Sequence, residues 1–322
     1  MNWREASVLI TGGTGSFGTK LVELMLTRYR PRRLVVFSRD ELKQSEMTKR
    51  FSDPALRFFV GDVRDRERLE RAMYGVDVVF HAAALKQIPS CEYNPFEAIL
   101  TNVMGAKNVI DAAIDQKVRR VIALSTDKAV NPINLYGATK LCAEKLFVQG
   151  NAYGHSRGTA FSVVRYGNVI GSRGSVIPLF AAQRETGTVT VTDRAMTRFW
   201  IRLEEGVEFA VRSAELMSGG EIFVPKIASM RIMDLVQALA PGCRVEFIGI
   251  RPGEKLHEIL ISEDESRQAL ELEDMFVIEP LYLDLWAFRP PAGGKRVAAG
   301  FRYSSDTNDR WLDGRQMREL VE

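Results

Sequence analysis

Over the first 170 residues, apolar positions come in short blocks, each closed by a small or polar residue. Residues 6–10, 33–37, 56–60, 76–80 and 121–124 are dominated by Val, Leu, Ile, Phe and Ala, with one polar residue at most in each and no strict alternation. That texture predicts strands buried on both faces, as in a parallel sheet. Between them the apolar spacing changes to threes and fours, in residues 19–26 and again in a long helix from 94 to 114. Five strands alternating with helices over about 125 residues predict an α/β fold with a doubly wound parallel sheet. A helix from 135 to about 153 and a sixth strand at 161–168 extend it.

From residue 171 the texture changes. Residues 172–178 read as a loop, 188–193 as an alternating strand and 196–200 as a mixed segment. A helix over 203–217 and a strand at 221–225 are expected to return to the sheet. The sequence therefore predicts a Rossmann-type domain of residues 1–168 plus about 199–225. A smaller α/β substrate domain, about 169–198 plus 226–322, should cover it. No internal repeat or low-complexity tract interrupts this order.

Bulk properties narrow the class. Among 322 residues, 44 basic and 41 acidic side chains leave a net charge of +3, which implies no general affinity for nucleic acid or a membrane surface. No apolar run approaches the ~18 residues of a spanning helix, and the first residues lack a signal-peptide core. Cys91, Cys142 and Cys243 are odd in number and widely spaced, which suits reduced thiols better than disulfides or a zinc site. A cytoplasmic enzyme without a metal is the expectation.

Candidate chemistry lies at the strand ends. Gly12, Gly15 and Gly18 form G-x-x-G-x-x-G between the first strand and a helix, with Thr14, Ser16 and Phe17 between them. Such a turn lets the backbone approach a pyrophosphate, and the helix N-terminus adds amide donors. After the second strand, Ser38 and Arg39 suit the 2′-phosphate of NADP; Asp40 beside them keeps NAD open, and Arg39 could simply be solvated. Asp62 and Val63 follow the third strand, where the carboxylate could accept from adenine or cap a helix. Ala82 and Ala83 after the fourth strand are small enough to pass a flat cofactor, and Lys86 stands on the ligand side. His81 suits a structural role.

The densest cluster follows the fifth strand: Thr126, Asp127 and Lys128, then Tyr136 and Lys140. Tyr136 and Lys140 are four apart on a helix, hence neighbours on one face.

Gly12-x-x-Gly15-x-x-Gly18, Tyr136-x-x-x-Lys140 and Arg165-Tyr-Gly-Asn168 together resemble the extended short-chain dehydrogenase/reductase superfamily. Ser125-Thr-Asp-Lys-Ala, Asn131-Pro-Ile-Asn-Leu-Tyr-Gly-Ala-Thr-Lys140, Ala82-Ala-Ala-Leu-Lys86 and Ile250-Arg-Pro-Gly-Glu-Lys-Leu-His-Glu258 narrow the likeness. They resemble the inverting UDP-N-acetylglucosamine 4,6-dehydratases that start pseudaminic acid synthesis. A capsule-synthesis branch has Met at the position of Tyr136, and retaining dTDP-glucose 4,6-dehydratases have Asp-Glu where this chain has Asp127-Lys128.

The resemblance implies a redox-neutral cycle on UDP-N-acetylglucosamine with tightly bound, recycled NADP. C4 is oxidised, water is eliminated across C5 and C6, hydride returns to C6, and C5 is reprotonated on the opposite face. The product would be UDP-2-acetamido-2,6-dideoxy-β-L-arabino-hexos-4-ulose. Tyr136, acidified by Lys140 and the nicotinamide charge, would handle the C4 hydroxyl proton. Lys140 would also hold the nicotinamide ribose, and Val169 would line the cofactor site. Lys128 would be the base at C5, its pKa lowered toward ~7–8 by burial, Lys140 and the nicotinamide. Asp127 would be the acid for the C6 hydroxyl, and Thr126 would position the sugar. Lys86, Asn168, Ser175, Val176, Arg198, Arg251 and Glu254 are the implied substrate contacts. A homo-oligomer, dimer or higher, is implied too. A UDP-sugar 4-epimerase is the alternative enzyme, and a non-catalytic NADP-binding scaffold or regulator the alternative of another class.

Overall fold

A computed structural model describes residues 1–171, 176–286 and 288–321. Six parallel strands carry the fold: β1 (Ser7–Thr11), β2 (Arg33–Ser38), β3 (Leu56–Val60), β4 (Val78–His81), β5 (Arg120–Thr126) and β6 (Ala160–Tyr166). Their order in the sheet is β3-β2-β1-β4-β5-β6. Direction of travel across the sheet reverses between β1 and β4, which opens a crevice above the C-terminal ends of the strands. Every residue of β1 and β4 is buried, as their unbroken apolar runs require.

Strand Ile222–Pro225 joins parallel to β6, as the sequence predicts. Beyond it the sheet continues antiparallel with Met275–Ile278, Ala269–Glu271 and Lys295–Arg296. So the segment around 269–296, placed by sequence in the second unit, also lengthens the main sheet. A separate apolar core, around Phe180, Val191, Trp200, Leu235 and Met317, lies under the small strands and helices of the later chain.

Two local readings change. Residues 196–200 lie mostly within a buried strand, Thr197–Arg202, paired with Asn168–Ile170 and Ala228–Arg231. Its five buried residues in a row hide the two-residue period expected of a half-exposed strand. The helix expected from 94 to 114 starts at Pro95, after a separate short helix Ile88–Tyr93, and contains a π-turn at Leu100–Met104. That turn directs Asn102 inward. Its side chain accepts from the Leu85 amide (2.8 Å) and donates to the Leu85 carbonyl (2.9 Å) and Thr139 Oγ1 (3.0 Å). One buried amide thus ties the loop after β4 to the helix Leu135–Gly154. Periodicity could not show this, since a π-turn shifts the helical phase.

Candidate active site

A cleft of about 1140 Å³ runs along the C-terminal ends of β1 to β6 and under the later chain. Its first half is built from close backbone contacts. Gly12 has φ of +65°, and a Cβ there would stand 2.8 Å from the Ala83 amide nitrogen. A Cβ on Gly18 would stand 2.5 Å from Gly13, so only glycine lets the helix start against the turn. Gly15 caps that helix without a side-chain hydrogen bond, leaving its first amides directed toward the crevice. Thr14, Ser16, Phe17, Val63, Ala82 and Val169 line the same half.

The ribose end is organised by Gln44, whose amide holds the Ser38 hydroxyl (3.0 Å) and the backbones of β2 and β3. Asp40 is spent as the N-cap of the next helix, accepting from Lys43 at 3.0 Å. Arg39 is half exposed on the rim and reaches Asp62 at 3.5 Å. Asp62 does not cap the following helix; Asp65 does. Its carboxylate instead receives Arg64 at 2.7 Å, which holds its pKa low against the effect of burial. His81 is buried and bonded to Thr11 Oγ1 at 2.8 Å, a structural histidine.

The second half centres on the end of β5. Lys128 Nζ lies 3.0 Å from Asp127 Oδ1, 3.4 Å from Asn168 Oδ1 and 3.3 Å from Glu258 Oε1. Thr126 Oγ1 donates to Asp127 Oδ1 at 2.8 Å. The turn Asp127–Ala129 meets the helix Leu135–Gly154 so closely that a Cβ on Gly137 would be 2.1 Å from the Lys128 carbonyl oxygen. Thr126 and Lys128 line the cleft, whereas Asp127 is wholly buried behind them. Its Oδ2 has no hydrogen-bond partner among the described residues.

Three expectations about proton affinity are corrected here. Burial lowers Lys128, but the Asp127 and Glu258 carboxylates outweigh it and hold the ammonium above the ordinary lysine value. Lys140 is not the neighbour that lowers it. Lys140 Nζ turns the other way and donates to the Leu124 carbonyl at 2.6 Å, and burial pushes it down to about 8. Tyr136 is not acidified by Lys140 either: burial pushes the phenol up to about 12, with Lys128 the cation that opposes this. Sequence spacing put Tyr136 and Lys140 on one helical face, but the strand carbonyl captures the lysine's donor.

Among the expected substrate contacts, Lys86, Asn168, Val176, Arg251 and Glu254 line the cleft. Glu254 Oε2 is buried without a hydrogen-bond partner among the described residues, and Arg251 lies 3.8 Å from its other oxygen on the rim. Arg198 lines the cleft too, but its guanidinium donates to the carbonyls of Thr197, Leu256 and Lys255 at 2.7–3.1 Å. Ser175 lies outside the described residues. Two groups that sequence reasoning gave no role belong to the cluster: Glu258, and Lys255, 3.8 Å from Glu258 Oε2. Their signal was charge density at the end of the Ile250 to Glu258 motif.

The strand order, the glycine turn at a helix N-terminus and the crevice define a Rossmann-type dinucleotide-binding fold. The chain belongs to the polysaccharide biosynthesis protein family, whose model matches residues 8–280. It is 50% identical over 327 residues to the inverting UDP-N-acetylglucosamine 4,6-dehydratase of Campylobacter jejuni serotype O:2, covering 99% of this chain and 98% of that protein. It is 43% identical over 326 residues to a protein of Rickettsia conorii named UDP-glucose 4-epimerase, covering 98% and 95%. The X-ray structure of Pen from Bacillus thuringiensis superposes with a TM-score of 0.92 at 40% identity, covering 100% of this chain and 98% of that one.

Proposed function

We propose that the protein is an inverting UDP-N-acetylglucosamine 4,6-dehydratase working with a retained nicotinamide dinucleotide. The observation that carries the reading is the Asp127–Lys128 pair at the end of β5, an acid and a base that oxidation at C4 alone does not need. Half of the residues match the dehydratase of C. jejuni over the whole chain, which supports the same reaction and substrate.

The cleft's first half fits a dinucleotide on its own features: glycine positions that a Cβ would fill, and a buried Ser125 hydroxyl on the cleft wall without a hydrogen-bond partner among the described residues. Gly12, Gly15 and Gly18 would hold the pyrophosphate, and Lys140 and Tyr136 the nicotinamide end. Asp40's engagement as a cap and Arg39's place on the rim favour NADP over NAD. A bound nicotinamide would supply the hydride acceptor for C4 and the hydride donor for C6.

The protein's own residues handle the protons. Tyr136 would take the proton of the C4 hydroxyl as a phenolate, a form that the positive charge of a bound oxidised nicotinamide would favour against the effect of burial. In the resting cluster Lys128 is an ammonium and Asp127 a carboxylate, each the wrong form for its task. One proton crossing their 3.0 Å hydrogen bond makes an amine and a carboxylic acid together. The amine then takes the C5 proton as the C6–O bond breaks. The departing oxygen receives a proton from Thr126, which is resupplied by Asp127 across their 2.8 Å bond, and the ion pair is restored. Arg251 and Glu254 would meet the diphosphate and uridine ribose. Exposed Tyr93, Phe96, Leu100 and Met104, on neighbouring helical segments, support a homo-oligomer.

The relatives named UDP-glucose 4-epimerase support a second reading, simple inversion at C4. Turnover of UDP-N-acetylglucosamine in deuterated water separates the two. Dehydration places deuterium at C5 of a 6-deoxy-4-keto sugar, whereas a C4 epimer with unlabelled C5 would establish the epimerase.

A further inference from the structure

Lys128 is gripped from two sides. Asp127 is its chain neighbour, but Glu258 arrives from 130 residues later, at the end of the segment that carries Arg251 and Glu254. Side-chain exposure is 3% for Glu258 and 23% for Lys128, so the 3.3 Å contact is shielded from water and only weakly screened. Glu258 is itself fixed. Its amide donates to Ser305 Oγ at 2.9 Å, its carbonyl accepts from the Ser305 amide at 2.8 Å, and Arg198 and Lys255 stand 4.0 and 3.8 Å from its carboxylate. The buried carboxylate faces three cations, and Lys128 is the nearest of the three.

We infer that Glu258 is a positioning residue for Lys128, fixing where Nζ sits in the cleft and how firmly it keeps its proton. The charged and titratable groups around this pair come from several neighbouring elements: Asp127 from the turn after β5, the Tyr136 phenol from the helix, Arg198 from the strand Thr197–Arg202, and Lys255. Asn168 supplies a neutral acceptor. Of the two acids, Asp127 exchanges a proton with Lys128 during turnover, while Glu258 holds Nζ in place for it. The inference rests on the dehydratase reading only for its effect on rate.

Lysine side-chain NMR titration of the full-length protein tests it without turnover, with the Lys128 signal assigned by Lys128→Arg. In the native protein Lys128 should keep its proton where surface lysines have lost theirs. In Glu258→Gln it should titrate at least about one pH unit earlier, and in Glu258→Asp between the two. Should the isosteric Gln variant not fold, the Asp variant alone must still move the signal downward. For the dehydration itself, kcat should fall roughly ten- to a hundredfold in Glu258→Gln with KM within about twofold, and Asp should recover part of it. A Lys128 signal that titrates identically in native and variant proteins overturns the inference, as does unchanged kcat. Native protein that makes no 6-deoxy-4-keto product would instead overturn the reaction reading, leaving the titration result standing.

Discussion

At the scale of single residues, the account turns on which form Lys128 takes. Between two carboxylates it rests as an ammonium, so the amine that abstracts a proton exists only after a transfer within the cluster. Removing the side chain would remove the proposed base and leave the cofactor half of the cleft intact. Lys128→Ala should therefore lower kcat for dehydration by about 10³-fold or more, while dinucleotide binding followed by fluorescence stays within about twofold. Normal turnover in that variant would refute the assignment of the base. The types and positions of Thr126, Asp127, Lys128, Tyr136 and Lys140 were readable in the sequence, because a strand end followed by helical spacing brings them together. Their proton affinities were not. Those depend on Glu258, which lies far along the chain, and on the Leu124 carbonyl, which holds Lys140 away from Lys128.

At the scale of elements, the turn Asp127–Ala129 and the helix Leu135–Gly154 form one unit. Gly137 lets them touch, Asn134 caps the helix and reaches the Gly253 carbonyl at 2.8 Å, and Arg165 binds Glu144 of the helix to Glu265 of the later chain. Gly137→Ala would drive a methyl group into the Lys128 carbonyl, where backbone faces backbone and neither side chain can yield. It should cost about 3 kcal/mol in denaturant unfolding and depress turnover by displacing Lys128 and Tyr136 together. Unchanged stability and activity would mean the two elements are looser than their contact implies. Glycine in Tyr-Gly-Ala-Thr-Lys was visible in sequence only as part of a motif. Its packing reason needed the fold, as did the strand Thr197–Arg202, whose burial on both sides erases alternation.

At the scale of the whole molecule, the parallel sheet of β1 to β6 was legible because most of its apolar blocks fit strands covered on both faces, the edge strand β3 being only partly buried. The antiparallel extension at 269–296 was not, since its strands are two to four residues long and carry little periodicity. Among the described residues no helix is long and apolar enough to cross a membrane. The buried core also sets a pH dependence. Burial, with the Lys140 charge adding, pushes His81 down to about 3 from an ordinary 6.5. The unfolded chain thus binds this proton more readily, so stability is fully present above the unfolded value and falls as pH drops through that window. Unfolding free energy should decline by about 2 kcal/mol between neutral pH and about pH 5 from this group. In His81→Gln that part of the slope should vanish; a variant with the native slope would assign it to other groups.

In the proposed reaction, elimination at the Lys128 cluster is followed by reprotonation on the opposite face, which inverts C5. The most direct measurement is NMR of the freshly formed product after incubation with UDP-N-acetylglucosamine, read for configuration at C5. Couplings of the β-L-arabino 4-keto sugar are the predicted result. A 4-keto product that keeps the D-xylo configuration, or a sugar still bearing its C6 hydroxyl, would contradict it.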